Sequence, residues 1–147
     1  MADPEPSDER LAAFDKVFEL ASVVSESMQR DLSGRGLTTS KAEVLHVLNL
    51  RGPLVQRELS QLLRRTPRHV TSLIDSLAEQ GWVTRGPHPT DRRAVLVHLT
   101  EQGAAAAAEM ADGRRRAALS WLGDATPAEL RAFVAVADRI IPQVGKH

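Results

Sequence analysis

The sequence predicts a mostly α-helical protein with one small β-hairpin. Three observations carry this expectation. Apolar residues recur at helical spacing over long stretches near both ends of the chain. In the middle, two shorter segments of the same periodicity are separated only by Arg64-Arg65. Directly after them, Gly81-Trp82-Val83 leads into two β-prone segments flanking a loop that holds Gly86, Pro87 and Pro89.

Met1 to Asp8 is rich in proline and acid and is expected to fray. Leu11, Phe14, Val17, Phe18, Ala21 and Val24 then predict an amphipathic helix over residues 9–32, ended by Gly34 and Gly36. Ser40 with Glu43 three residues on reads as a capping box that opens a helix to Leu50, with Val44, Leu45, Val47 and Leu48 inward. Arg51-Gly52-Pro53 stops it. A short helix follows from Gln56 to Leu63, with Leu59, Leu62 and Leu63 inward, and Arg64-Arg65 is the turn. Thr66 is a good N-cap, and Pro67 sits at the first helical position, where its missing N–H costs nothing. That helix runs to about Gln80 and stops at Gly81. Trp82 to Arg85 and Ala94 to Leu99 form the hairpin. Thr100 begins a long helix through an alanine run to about Leu122, and Gly123-Asp124 breaks it. Thr126-Pro127 starts the last helix, with Leu130, Phe133, Val134, Ala137, Ile140 and Ile141 on one stripe.

Composition excludes several classes. There is no cysteine, hence no disulfide framework, thiolate metal site or thiol switch. No run approaches the ~20 apolar residues of a membrane span, and the polar N-terminus does not read as a secretory signal, so a cytoplasmic location is expected. Net charge is zero, yet its distribution is uneven. Residues 1–50 hold 5 Lys/Arg against 9 Asp/Glu, residues 51–93 hold 8 against 4, and residues 94–147 hold 6 against 6. The basic middle third is what phosphate contacts require.

On the helix after Thr66, Val70, Leu73, Ile74 and Leu77 share one side, while Arg68, Ser72, Asp75 and Glu79 lie opposite. The outward N-terminal half therefore offers Thr66, Arg68, His69, Thr71 and Ser72, residue types that read a DNA groove. Arg68 is the candidate for a bidentate guanine contact. Thr66, Thr71 and Ser72 suit phosphates or bases, and His69 suits phosphate. An ordinary surface helix would look the same in isolation; the flanking helix and hairpin favour the groove reading. At the hairpin tip, Arg92 and Arg93 suit a narrow minor groove. Asp91 beside them either weakens phosphate binding or orients an arginine by hydrogen bonding. Arg64 and Arg65 are either phosphate contacts or a solvated turn. The order helix, turn, helix, hairpin is that of a winged helix-turn-helix.

The segments Leu59-Ser60-Gln61-Leu62-Leu63, Val70 to Leu77, Gly81-Trp82-Val83 and Asp91-Arg92-Arg93 through Leu99-Thr100-Glu101-Gln102-Gly103 closely resemble the MarR family of bacterial regulators. The Asp-Arg-Arg to Leu-Thr-x-x-Gly stretch is the most specific of these signatures. The resemblance implies a winged helix-turn-helix over residues 37–100, with dimerisation helices at 9–36 and 101–144. It implies a homodimeric repressor of a pseudo-palindromic operator in double-stranded DNA. It places Arg93 in the minor groove, gives Asp91 a supporting role in the wing, and implies a small aromatic or anionic effector. The sequence departs from the family pattern at three positions: Arg64 stands where a glycine is usual, Ser72 where many members have arginine, and Val55 where Ser or Thr usually opens the helix.

The apolar stripes of the terminal helices are either core within one subunit or an interface between two. A first helix of roughly 24 residues spans ~36 Å, long for one small domain. Trp121, Met28 and Met110 belong to whichever surface that is, and His46 reads as a core or interface histidine. His46, His69, His88 and His98 have no metal-ligand spacing, and no nucleotide-binding loop or catalytic constellation is present, so neither a metal, a cofactor nor an enzyme is expected. The alternative function is a winged-helix module that binds another protein and no DNA.

Overall fold

In a computed structural model the chain is described over residues 8–144. Residues 1–7 of the segment expected to fray lie outside that range, and Asp8 already opens the first helix. The element order is α1 (Asp8–Gly34), α2 (Thr39–Arg51), β1 (Leu54–Val55), α3 (Gln56–Leu63), α4 (Pro67–Glu79), β2 (Val83–Pro87), β3 (Val95–Leu99), α5 (Glu101–Leu122) and α6 (Pro127–Val144). The fold is a winged helix-turn-helix: mostly helical, with one small antiparallel sheet. The described residues divide into two compact units, 8–107 and 108–144.

The first unit is built around Val44 and Leu45 of α2, Leu59 of α3, Val70, Ile74 and Leu77 of α4, and Val97 of β3, all fully buried. The helical ones are among the inward positions that periodicity assigns; the inward face of β3, marked by Val97, is shown by the structure. Leu62 is a correction: it is 43% exposed rather than inward, because α3 is only two turns long and buries a single stripe on Leu59 and Ser60. The sheet has the order β1-β3-β2, with Val83 opposite Leu99 and Pro87 opposite Val95 in the hairpin. Strand β1 is an addition to the expected hairpin. Its two residues pair Leu54 with Val97 and Val55 with Leu96, too short a run to show period-two alternation.

The start of α2 is a second correction. Thr38, not Ser40, is the N-cap; it is extended (φ −103°, ψ 166°), and its hydroxyl accepts the Lys41 N–H at 3.3 Å. Ser40 already lies within the first helical turn. The junction of wing and α5 explains the Leu-Thr-x-x-Gly stretch. Thr100 Oγ1 donates to the Gly81 carbonyl at 2.6 Å and accepts the Gly103 N–H at 3.0 Å, so one hydroxyl caps α5 and ties it to the turn after α4. A Cβ on Gly103 would lie 1.9 Å from the Trp82 carbonyl oxygen, so only glycine permits this approach.

Helix α1 shows its apolar stripe to solvent: Leu11, Phe14, Val17 and Phe18 are 45–63% exposed, and Leu32 is its buried residue. Met28 is also exposed and His46 is half-buried. In the second unit, Thr126 and Glu129 form a reciprocal capping box at the start of α6. The Thr126 backbone N–H, and then its hydroxyl, hold the Glu129 carboxyl below its ordinary pKa. No described residue of α6 is buried, and Trp121, Phe133 and Ile141 are all at least 60% exposed. No helix among the described residues is long and apolar enough to cross a membrane.

Candidate nucleic-acid interface

Helix α4 is held at both ends and along one side. At its start, Thr66 is extended (φ −65°, ψ 150°), its hydroxyl accepts the His69 N–H at 3.2 Å, and Pro67 occupies the first turn. At its end, Gln80 accepts from Lys41 Nζ at 2.8 Å and donates to the Gly36 carbonyl at 3.2 Å, which anchors α4 to α2 and to the loop after α1. Its inner side is the fully buried Val70, Ile74 and Leu77. The helix therefore presents Arg68, His69, Thr71 and Ser72 from a fixed base, and all four are exposed.

The turn before it resolves the two arginines differently. Arg64 is the non-glycine residue with positive φ among the described residues (φ 52°, ψ 43°), and it caps the C-terminus of α3. That conformation explains why glycine is usual at this position in the family that the sequence resembles. Arg65 continues the turn, its N–H bonded to the Ser60 carbonyl at 3.1 Å, and its guanidinium lies 3.6 Å from the Glu43 carboxylate. Val55 supplies no side-chain cap to α3; the Glu58 carboxylate reaches back to its N–H at a long 3.5 Å.

Sequence reading missed a polar chain joining α3, α4 and the wing. Arg85 on β2 pairs with Asp75 of α4 at 2.5 Å, and its Nε donates to Gln56 Oε1 at 3.1 Å. Gln56 Nε2 in turn donates to Thr71 Oγ1 at 3.1 Å, and Thr71 donates to the Pro67 carbonyl at 2.9 Å. Thr71, expected to face a groove, thus commits its hydroxyl to its own scaffold. The partners are 10 to 29 residues apart in sequence, a separation that leaves no periodic signal.

In the wing loop, Asp91 Oδ1 accepts the backbone N–H of Arg93 at 3.0 Å. Asp91 therefore shapes the loop and binds neither arginine's guanidinium. Arg64, Arg68, Arg92 and Arg93 are exposed and make no ion pair among the described residues. The structure thus displays two exposed cationic clusters, one at the start of α4 and one at the wing tip. Among the described residues, no three His, Asp or Glu side chains are grouped to hold a metal ion.

Comparison with known proteins bears on this arrangement. Residues 35–94 match the model of the MarR family. The chain is 32% identical over 89 residues to YpoP of Bacillus subtilis (strain 168), an uncharacterized HTH-type transcriptional regulator; the match covers 60% of each protein. It is 31% identical over 97 residues to the HTH-type transcriptional repressor YetL of the same organism, covering 65% of this chain and 58% of YetL. The chain thus spans about three fifths of the length of these curated relatives. Its fold is similar to that of a mutant MarR from E. coli complexed with operator DNA, with a TM-score of 0.72 and 22% identity over 96% of this chain and 100% of that one. Residues 35–94, which hold the helix, turn, helix and arginine-bearing wing, are thus the part of this chain that is similar to the MarR family.

Proposed function

We propose that this protein is a homodimeric, sequence-specific DNA-binding transcription regulator that represses by occupying a pseudo-palindromic operator. The observation that carries the reading is the set of exposed, unpaired arginines on two projecting elements of a chain with zero net charge. Thr66, Arg68, His69, Thr71 and Ser72 line the groove-facing helix, with Arg68 toward a guanine edge. Thr71 acts there through its backbone position and its tie to Gln56. Arg64 and Arg65 face phosphates, Arg92 and Arg93 reach the minor groove, and Asp91 supports them. The words repressor for YetL and operator for the E. coli MarR complex support the same reading.

Residues 37–100 form the reading head, and 9–36 with 101–144 the dimerisation helices. The exposed apolar residues of α1 and α6 support that division. Two copies would place their α4 helices about 34 Å apart, one turn of the duplex. Binding to a cytoplasmic genome, and its relief by a small aromatic or anionic effector, belong to the same proposal. Footprinting the purified protein on the DNA upstream of its own gene, followed by a salt titration, tests it. A protected palindrome whose affinity falls steeply with salt is the expected result. No salt-dependent binding to any duplex overturns it and favours the protein-interaction module.

A further inference from the structure

We propose that His88 is the positioning residue of the wing tip and that only its neutral ring seats Arg92 and Arg93 for a duplex; the proposal rests on the DNA-binding reading above. His88 Nδ1 faces the backbone of its own loop. It accepts the Thr90 N–H at 3.2 Å and the Asp91 N–H at 3.0 Å, and lies 3.4 Å from Thr90 Oγ1. A ring nitrogen that accepts two amides carries no proton, so the neutral ring holds its proton on Nε2. Pro89 restricts His88 to extended backbone, which pre-sets the ring's approach to those amides. One step on, Asp91 Oδ1 accepts the Arg93 N–H, and the Asp91 carbonyl accepts the Ala94 N–H at 3.2 Å. The two side chains act in series: His88 seats Asp91, and Asp91 seats the backbone of Arg93.

Protonation puts an N–H on Nδ1, where two N–H groups already converge. Both bonds are then lost and a donor faces donors. The other charged and titratable groups of the wing are Asp91, Arg92 and Arg93 in the loop, Arg85 on β2 and His98 on β3. The Asp91 carboxylate is committed to the Arg93 amide, and Arg85 to Asp75. His98 pairs with Thr84 in the hairpin register and turns its ring toward Gly86. Acid therefore acts in two opposed ways. Added positive charge strengthens attraction to phosphate, whereas an unseated loop weakens the grip of the wing. The sign of the response separates a latch from a mere charge.

The test uses the full chain and a fluorescein-labelled, A/T-rich duplex of about 30 base pairs, titrated at one ionic strength between about pH 8 and pH 5.5, the range in which histidine changes charge. The proteins are wild type, His88→Asn and His98→Gln. The asparagine Oδ1 can accept the same amides without titrating. At the alkaline end all three bind alike. Toward the acid end wild type and His98→Gln weaken about tenfold relative to His88→Asn, the scale of two lost hydrogen bonds. If His88→Asn follows wild type through the acid range, or if His98→Gln abolishes the response, the proposal is overturned. A readout without DNA decides the same point. The ring nitrogen NMR shifts of His88 must report the Nε2–H tautomer, and the Thr90 and Asp91 amide resonances must move as that ring titrates. An Nδ1–H tautomer at alkaline pH overturns it. Should wild type bind no duplex even there, the DNA-binding reading fails, while the tautomer still decides the latch.

Discussion

The winged unit and the terminal helices both carry apolar residues at helical spacing and treat them in opposite ways. Val44, Leu45, Leu59, Val70, Ile74, Leu77 and Val97 of the winged unit are at 0% exposure. Phe14 and Phe18 of α1, and Trp121, Leu119 and Phe133 in α5 and α6, are 59–76% exposed. Periodicity guarantees that a helix has an apolar face; it does not say which element covers it. In the winged unit short connections bring the covering elements from the same chain. Among the described residues the apolar faces of α1 and α6 remain largely exposed, and a second copy is the proposed cover.

The contrast predicts different responses to substitution. The largest effect belongs to Gly103→Ala. A Cβ 1.9 Å from the Trp82 carbonyl cannot be accommodated without moving α5 off the wing. Urea denaturation should show a loss of about 3 kcal/mol or more, the upper range for overpacking. A loss under ~1 kcal/mol would mean that the junction is soft.

A polar change on the exposed stripe should do the reverse, leaving each unit folded and separating the copies. Phe133→Asp should keep the helical circular dichroism of wild type while lowering the mass seen by light scattering to that of a monomer, a cost of at least ~2 kcal/mol in dimer free energy. An unchanged monomeric mass in both proteins would refute the dimer. Arg68→Ala should leave stability alone and cost about 1–3 kcal/mol at the footprinted site, with relaxed sequence preference. Equal weakening on random DNA would make Arg68 a phosphate contact.

Arg64→Gly sharpens the comparison from within the winged unit. Relief of the left-handed conformation, less the greater freedom of glycine in the unfolded chain, should raise stability by up to ~1 kcal/mol. Loss of the charge should reduce the salt slope of DNA binding by about one unit. Greater stability with unaltered DNA binding would remove Arg64 from the interface. The smallest effect concerns Glu129. Its folded pKa is lowered, so its contribution to capping α6 is present above the unfolded value and is lost as pH falls through the folded one. Thermal melts from neutral to acid pH should show this component vanish in Glu129→Gln; an identical pH profile would exclude it.

Much of this architecture follows from local chemistry that a single sequence displays. Thr66-Pro67 opening α4 and Gly81 closing it fall where the residues put them; the hairpin forms where expected, but β2 runs on through Gly86 and Pro87, which the sequence places in the loop, because both pair with β3. So do the exposed positions of Arg68, His69, Ser72, Arg92 and Arg93, because a helix or hairpin that buries one face must show the other. The choice of Thr38 over Ser40 as N-cap depended on which hydroxyl stood at an extended backbone position next to a free N–H. Strand β1, the Asp75–Arg85–Gln56–Thr71 chain and the pairing of Arg65 with Glu43 join residues distant in sequence. Those partnerships exist only once packing has brought the elements together, since composition and spacing encode which groups want partners and tertiary contact alone decides which partners they meet.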